Sequence, residues 1–189
     1  MALRRGFKTE AASTAGEVRA ELGLGPLNRL DPLVLADWLD IPVVPLSELA
    51  DRHSPIRHLL DGEPEAFSAV TVFRGVERTI VHNDAHAPGR QNSNIAHELG
   101  HGLLMHPPTP ALDDRGCRAW NQDLEDEAGW LAGCLLVTEE AALTIARGRW
   151  AKEQAADQLG VSLPMIQFRL NATGAVKRVA RARANGYRR

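Results

Sequence analysis

The sequence predicts an α+β fold, mostly helical, with a small antiparallel sheet. Three observations lead there. Apolar residues recur at helical spacing towards both ends of the chain, two β-branched runs lie next to each other near the middle, and the order is therefore helices, a short sheet, then many helices. With 189 residues, 44% hydrophobic and 24% charged, the chain is long enough for one domain with a real core, and its composition excludes wholesale disorder and fibrous repeats.

Thr9 to Leu22 is alanine-rich with helical spacing, and Gly23-Leu24-Gly25-Pro26 stops it. Asp31-Pro32 reads as an N-cap and first-turn proline for a helix to Leu39. Ile41 to Leu46, with two prolines, reads as a short extended edge piece. Phe67 to Phe73 and Arg78 to Asn83 flank a turn containing Gly75 and form a predicted hairpin. Asn92 to about Leu104 is helical, with Asn92 or Ser93 as cap and Pro107-Pro108 beyond its end. Asp123 to Val137 is a second helix, apolar in its latter half, and Thr138 caps a third. Ala151 to Leu159, a turn at Gly160-Val161-Ser162, and Leu163 to Leu170 follow as helix, turn and helix.

The longest uncharged apolar stretch, Ala128 to Thr138, is too short to span a bilayer, and Arg4, Arg5 and Lys8 precede no apolar leader core. A cytoplasmic protein without a membrane partner is expected. Cys117 and Cys134 then read as reduced thiols. The formal charge is −2, but Ala175 to Arg189 holds six cations and no acid, leaving 16 cations against 24 acids elsewhere. A basic tail on an acidic body reads first as a solvated C-terminal helix and second as a contact for nucleic acid or an acidic partner.

Chemistry concentrates in His97-Glu98-Leu99-Gly100-His101, an HExxH pattern inside a predicted helix. Residues four apart share a helical face, so both imidazoles reach one metal ion while Glu98 is turned to act as general base. Two nitrogens and one carboxylate oxygen suit zinc with its fourth position open. Glu125 and Glu127 open the following helix and supply the third ligand, and they point about 200° apart, so only one of them serves.

The stretch from Thr79 to His101, then Glu125-x-Glu127-Ala128, then Leu159-Gly160-Val161-Ser162 with Arg169-Leu170, resembles the ImmA/IrrE family of bacterial zinc metallopeptidases over roughly residues 15 to 175. The resemblance implies a zincin-like domain over residues 1–137 and a helix-turn-helix-like segment with a basic tail over 138–189, packed on it. It implies Zn2+ held by His97, His101 and Glu125, peptide hydrolysis with Glu98 as catalytic base, and an Xre-type helix-turn-helix repressor as substrate. The associated roles are transcription regulation, stress response and toxin–antitoxin control. In the family an Asn or Asp four residues after the glutamate ligand orients a metal-binding histidine; here that position is Gly129. The family's proline near the end of that helix is replaced by Thr138. Gly129 favours an alternative, a catalytically weak or inactive regulatory subunit that binds a repressor or DNA through the same fold. Tyr187, His82, His86 and Arg90 are weighed for oxyanion stabilisation without an assignment, with His82 read as facing solvent. Phe67 to Phe73 is the candidate strand for edge pairing with an extended substrate.

Overall fold

The computed structural model describes residues 3–52, 54–61, 64–108 and 121–186. Helices α1 (Phe7–Glu21) and α2 (Pro32–Trp38) lead to strand β1 (Val43–Pro45), short helices α3 (Leu46–Arg52) and α4 (His58–Asp61), and strands β2 (Ala69–Arg74) and β3 (Glu77–His82). Helices α5 (Pro88–Leu103), α6 (Gln122–Leu136), α7 (Glu139–Ala146), α8 (Lys152–Leu159), α9 (Leu163–Thr173) and α10 (Ala175–Gly186) complete it. Side-chain caps set several starts. The Asp31 carboxylate accepts from Leu33 N, Asn121 from Asp123 N and Leu124 N, Thr138 from Ala141 N and Ser162 from Met165 N.

β2 and β3 form the expected hairpin, registered from Ala69 opposite His82 to Arg74 opposite Glu77, with Gly75 at φ +63° in the turn. The sheet is nevertheless mixed rather than wholly antiparallel. β1 pairs parallel to β3, Val43 opposite Ile80, because the chain leaves β1 through α3 and α4 and reverses once more at the hairpin. The strand order β1-β3-β2 makes β3 the centre and leaves β2 at an edge. His82 is accordingly not a solvent-facing residue: it is 7% exposed at the end of the central strand.

The core is organised around α6. Ala128, Leu131 and Leu135 are fully buried and Leu136 nearly so, among side chains of α1, α5 and α9. Each buried leucine contributes about 1.5–3 kcal/mol of transfer free energy. Two buried arginines satisfy carbonyls at the C-terminal end of α6. Arg19 Nη1 donates to Leu135 O at 2.6 Å and Arg169 Nε to Val137 O at 2.8 Å, where cations also suit the helix dipole. Arg169 therefore does not project from the second helix of the helix-turn-helix-like segment. The other polar residues there are engaged locally, Lys152 Nζ donating to Gln167 Oε1 and Gln167 Nε2 to Asn171 Oδ1. Helix α10, the described part of the basic C-terminal stretch, packs on α7 and α9 and is tied by Arg178 to Glu139 at 2.6 Å.

Cys134 is a buried free thiol, and burial raises its pKa; Cys117 and Tyr187 lie outside the described residues. Among the described residues no single helix is long and apolar enough to cross a membrane.

Candidate metal centre

The site is built on α5, which starts at Pro88, four residues before the expected cap. Proline at the first helical position needs no donor, and the two residues expected to cap are occupied otherwise. Ser93 Oγ bonds back to Gly89 O at 2.9 Å, and Asn92 Nδ2 donates to Gly160 O at 2.7 Å. That last bond docks the turn between α8 and α9 against the first turn of α5. The approach is close enough that a Cβ on Gly89 would stand 2.7 Å from the Val161 carbonyl carbon.

One turn separates His97 from His101, and both imidazoles emerge on the face towards α6. The two helices touch where Gly100 meets Ala128: a Cβ at 100 would lie 2.9 Å from Ala128 O. Leu99 on the buried side is fully enclosed. This crossing brings the first turn of α6 over the histidines. His97 Nε2 lies 3.1 Å from Glu125 Oε2 and 3.1 Å from His101 Nε2, and His101 Nε2 lies 3.7 Å from the same carboxylate oxygen. The facing imidazoles of His101 and His97 hold the Glu125 carboxyl well below the usual carboxylate range, against the effect of its partial burial. Glu127 points elsewhere, to Arg4 Nε at 2.9 Å and His106 Nε2 at 3.6 Å.

Glu98 is turned away from the histidine face towards the sheet. Its Oε2 accepts from Thr71 Oγ1 at 2.6 Å, which fixes the carboxylate against β2. The residues from Glu65 to Val70 on one side, and Asn94, His97, Glu98 and Glu125 on the other, line an open cleft of about 570 Å³. Phe67 and Ser68 stay paired to the next strand through Asn83 Nδ2 and Asn83 N, so this rim is held although β2 proper starts at Ala69. The outer edge of β2 borders the cleft with no strand beside it among the described residues.

Further residues border the site. His101 Nδ1 is 2.9 Å from His106 Nδ1. On His97 the equivalent nitrogen faces Gly129, where an ideal Cβ would be 3.7 Å away, and no described residue hydrogen-bonds it. His86, weighed from the sequence, is buried with Nδ1 3.3 Å from Asn94 Nδ2 on the cleft wall, while Arg90 pairs with Glu65 at 2.7 Å. Thr71 and His106 were not legible as site residues. Thr71 is one residue of a hairpin, and its place beside Glu98 follows only from the packing of sheet on helix. His106 does stand five residues after His101, a signal that helix spacing alone does not flag.

Ligand atoms about 2.0–2.1 Å from a tetrahedral centre stand roughly 3.3 Å apart. The separations of 3.1, 3.1 and 3.7 Å among two imidazole nitrogens and a carboxylate oxygen bracket that value, and the three donors converge within 4.8 Å of one another. Lone pairs brought this close repel unless protons or a cation lie between them. The donor set can therefore hold a metal ion, with chemistry suited to zinc. No curated protein matches the chain. A family model does: the Peptidase_M78 model, described as the IrrE N-terminal-like domain, matches residues 52–171, which include His97, His101, both glutamates of α6 and the α8–turn–α9 segment as far as Asn171. That match covers well over half of the sequence, and on it the chain belongs to the ImmA/IrrE metallopeptidase family.

Proposed function

We propose that this chain is a zinc-dependent endopeptidase that cleaves an Xre-type helix-turn-helix repressor in the cytoplasm and so relieves repression. The observation that carries the catalytic part is the convergence of His97, His101 and Glu125 beside a cleft whose opposite wall is a strand edge unpaired among the described residues, with Glu98 between them. The chemistry a zinc ion supplies in such a donor set is Lewis acidity, which polarises a peptide carbonyl and makes water a better nucleophile. The chain's own residues do the rest. Glu98, held by Thr71, takes a proton from water and returns it to the leaving amine. The free edge of β2 pairs with an extended stretch of substrate, and its hydrogen bonds set the scissile bond across the cleft.

The repressor as substrate is supported by the resemblance of three separated sequence motifs to the ImmA/IrrE proteins. Residues 138–189 act in this reading as a helical buttress. Their turn is docked on the first turn of α5 through Asn92, and Arg169 donates to the end of α6, contacts that support a role behind the metal ligands rather than in a DNA groove. Incubating the chain with Xre-type regulators from its own genome tests the proposal. Cleavage at a single site by the wild type and none by Glu98→Gln supports it; binding without cleavage in excess zinc overturns it. The latter result fits the second reading, a regulatory subunit without turnover. Gly129 favours that reading by leaving His97 Nδ1 without an acceptor among the described residues.

A further inference from the structure

We propose that His106, backed by Glu127, is a positioning residue that fixes the orientation and tautomer of His101 as a metal ligand. This rests on the zinc reading above and adds to it a chain of contacts leading away from the metal site. His101 Nε2 faces His97 and Glu125, while its other nitrogen, Nδ1, is 2.9 Å from Nδ1 of His106. On its far side His106 presents Nε2 to Glu127 Oε2 at 3.6 Å, and Glu127 is anchored in turn by Arg4 Nε at 2.9 Å. The side chains of His106 and Glu127 are 7% and 10% exposed, so water competes little for these contacts.

Proton bookkeeping gives the contacts a direction. A neutral imidazole that offers the Nε2 lone pair to a metal carries its proton on Nδ1. His101 must then donate from Nδ1, and the nitrogen facing it on His106 must accept. His106 consequently carries its own proton on Nε2, directed at the Glu127 carboxylate. The reverse assignment, with the proton on His106 Nδ1, would force the proton of a neutral His101 onto Nε2 and block coordination there.

The backbone is bent to make this contact. Met105, 82% exposed, has φ +51°, a conformation that side chains other than glycine rarely adopt. It turns the chain at the end of α5 so that His106 N donates to His101 O at 3.0 Å and the His106 ring folds back beneath the His101 ring, centroids 5.0 Å apart. The same left-handed helix end, without glycine, closes α2 at Asp40 (φ +55°).

Two measurements test the proposal. Zinc dissociation constants are read by chelator competition for wild type, His106→Ala, His106→Asn and Glu127→Gln. Imidazole tautomers of zinc-loaded wild type are read by 15N NMR. His106→Ala should bind zinc about 10- to 100-fold more weakly. His106→Asn, whose Oδ1 takes the place of Nδ1 as acceptor, should recover most of that loss, and Glu127→Gln should fall between. In the wild type, His101 should be protonated at Nδ1 and His106 at Nε2. Unchanged zinc affinity in His106→Ala, or a His106 proton on Nδ1, overturns the proposal. The tautomer measurement decides it if His106→Ala fails to fold. Failure of the wild type to take up zinc would instead overturn the metal reading on which this inference stands.

Discussion

Gly129 is the position where one added acceptor should have the largest effect on the site. An ideal Cβ there lies 3.7 Å from His97 Nδ1 and meets nothing else within 4 Å among the described residues, which leave room for a side chain. The Oδ1 of asparagine is about 2.4 Å from its Cβ. It can therefore reach His97 Nδ1 at roughly 2.9 Å, the ordinary hydrogen-bond length. Supplying a missing partner to a metal-bound histidine is worth about 10- to 100-fold in metal affinity, or ~1.4–2.7 kcal/mol. Gly129→Asn should tighten zinc binding by that factor in chelator competition. Replacing a mid-helix glycine also stabilises the helix itself by up to about 1 kcal/mol, an effect unrelated to the metal. Gly129→Ala separates the two: its urea midpoint should rise with chelator present, while its zinc affinity stays at the wild-type value. Equal tightening by alanine and asparagine, or no tightening by asparagine, would refute the reasoning.

Other perturbations bear on the helix crossing, the base and a buried imidazole. Gly100→Ala places a Cβ 2.9 Å from Ala128 O. The overpacking cost of about 1–3 kcal/mol should outweigh the gain of about 1 kcal/mol in helix propensity, so the urea midpoint falls and zinc binding weakens; a higher midpoint contradicts the close crossing. Thr71→Val removes the donor to Glu98 while keeping shape. Zinc content should be unchanged and kcat should drop about ten-fold, the equivalent of ~1.4 kcal/mol, whereas an unchanged kcat would show that Thr71 does not hold the base. His82 has its pKa lowered, chiefly by burial, with Asp84 opposing. The unfolded chain then binds the extra proton more readily, so stability is lost as pH falls below the unfolded-state value of about 6.5 and on towards the lower folded-state value. His82→Leu should show a smaller drop in urea midpoint between neutral and mildly acidic pH than the wild type; equal drops would remove His82 from the account.

Much of this arrangement can be read before any coordinates because it depends on period and on local chemistry. The i, i+4 spacing alone puts His97 and His101 on one face, and the hairpin and the caps at Asp31 and Thr138 follow from residue types over a few positions. What escapes the sequence depends on tertiary competition. Asn92 and Ser93 are good caps in isolation, yet Asn92 is taken by Gly160 and Ser93 by Gly89, and the helix starts at Pro88 instead. Arg169 has the polar reach of a recognition residue, but the uncapped carbonyl of Val137 draws it inward. The parallel pairing of β1 depends on how a chain of short helices returns from it, and α3 and α4 are too short to carry a period. The direction of Glu127 belongs to the same class: helical geometry separates it from Glu125, and only the positions of Arg4 and His106 show what it binds.

A single zinc ion held jointly by His97, His101 and Glu125 underlies every role proposed above. Elemental analysis of protein purified without added metal, run in parallel on wild type, Glu98→Gln and Glu125→Gln, tests it most directly. About one zinc per chain is expected in the wild type and in Glu98→Gln, because Glu98 faces Thr71 and not the three donors, and a large loss of zinc in Glu125→Gln. Wild-type levels of zinc in Glu125→Gln, or none in the wild type even after incubation with zinc, would contradict it.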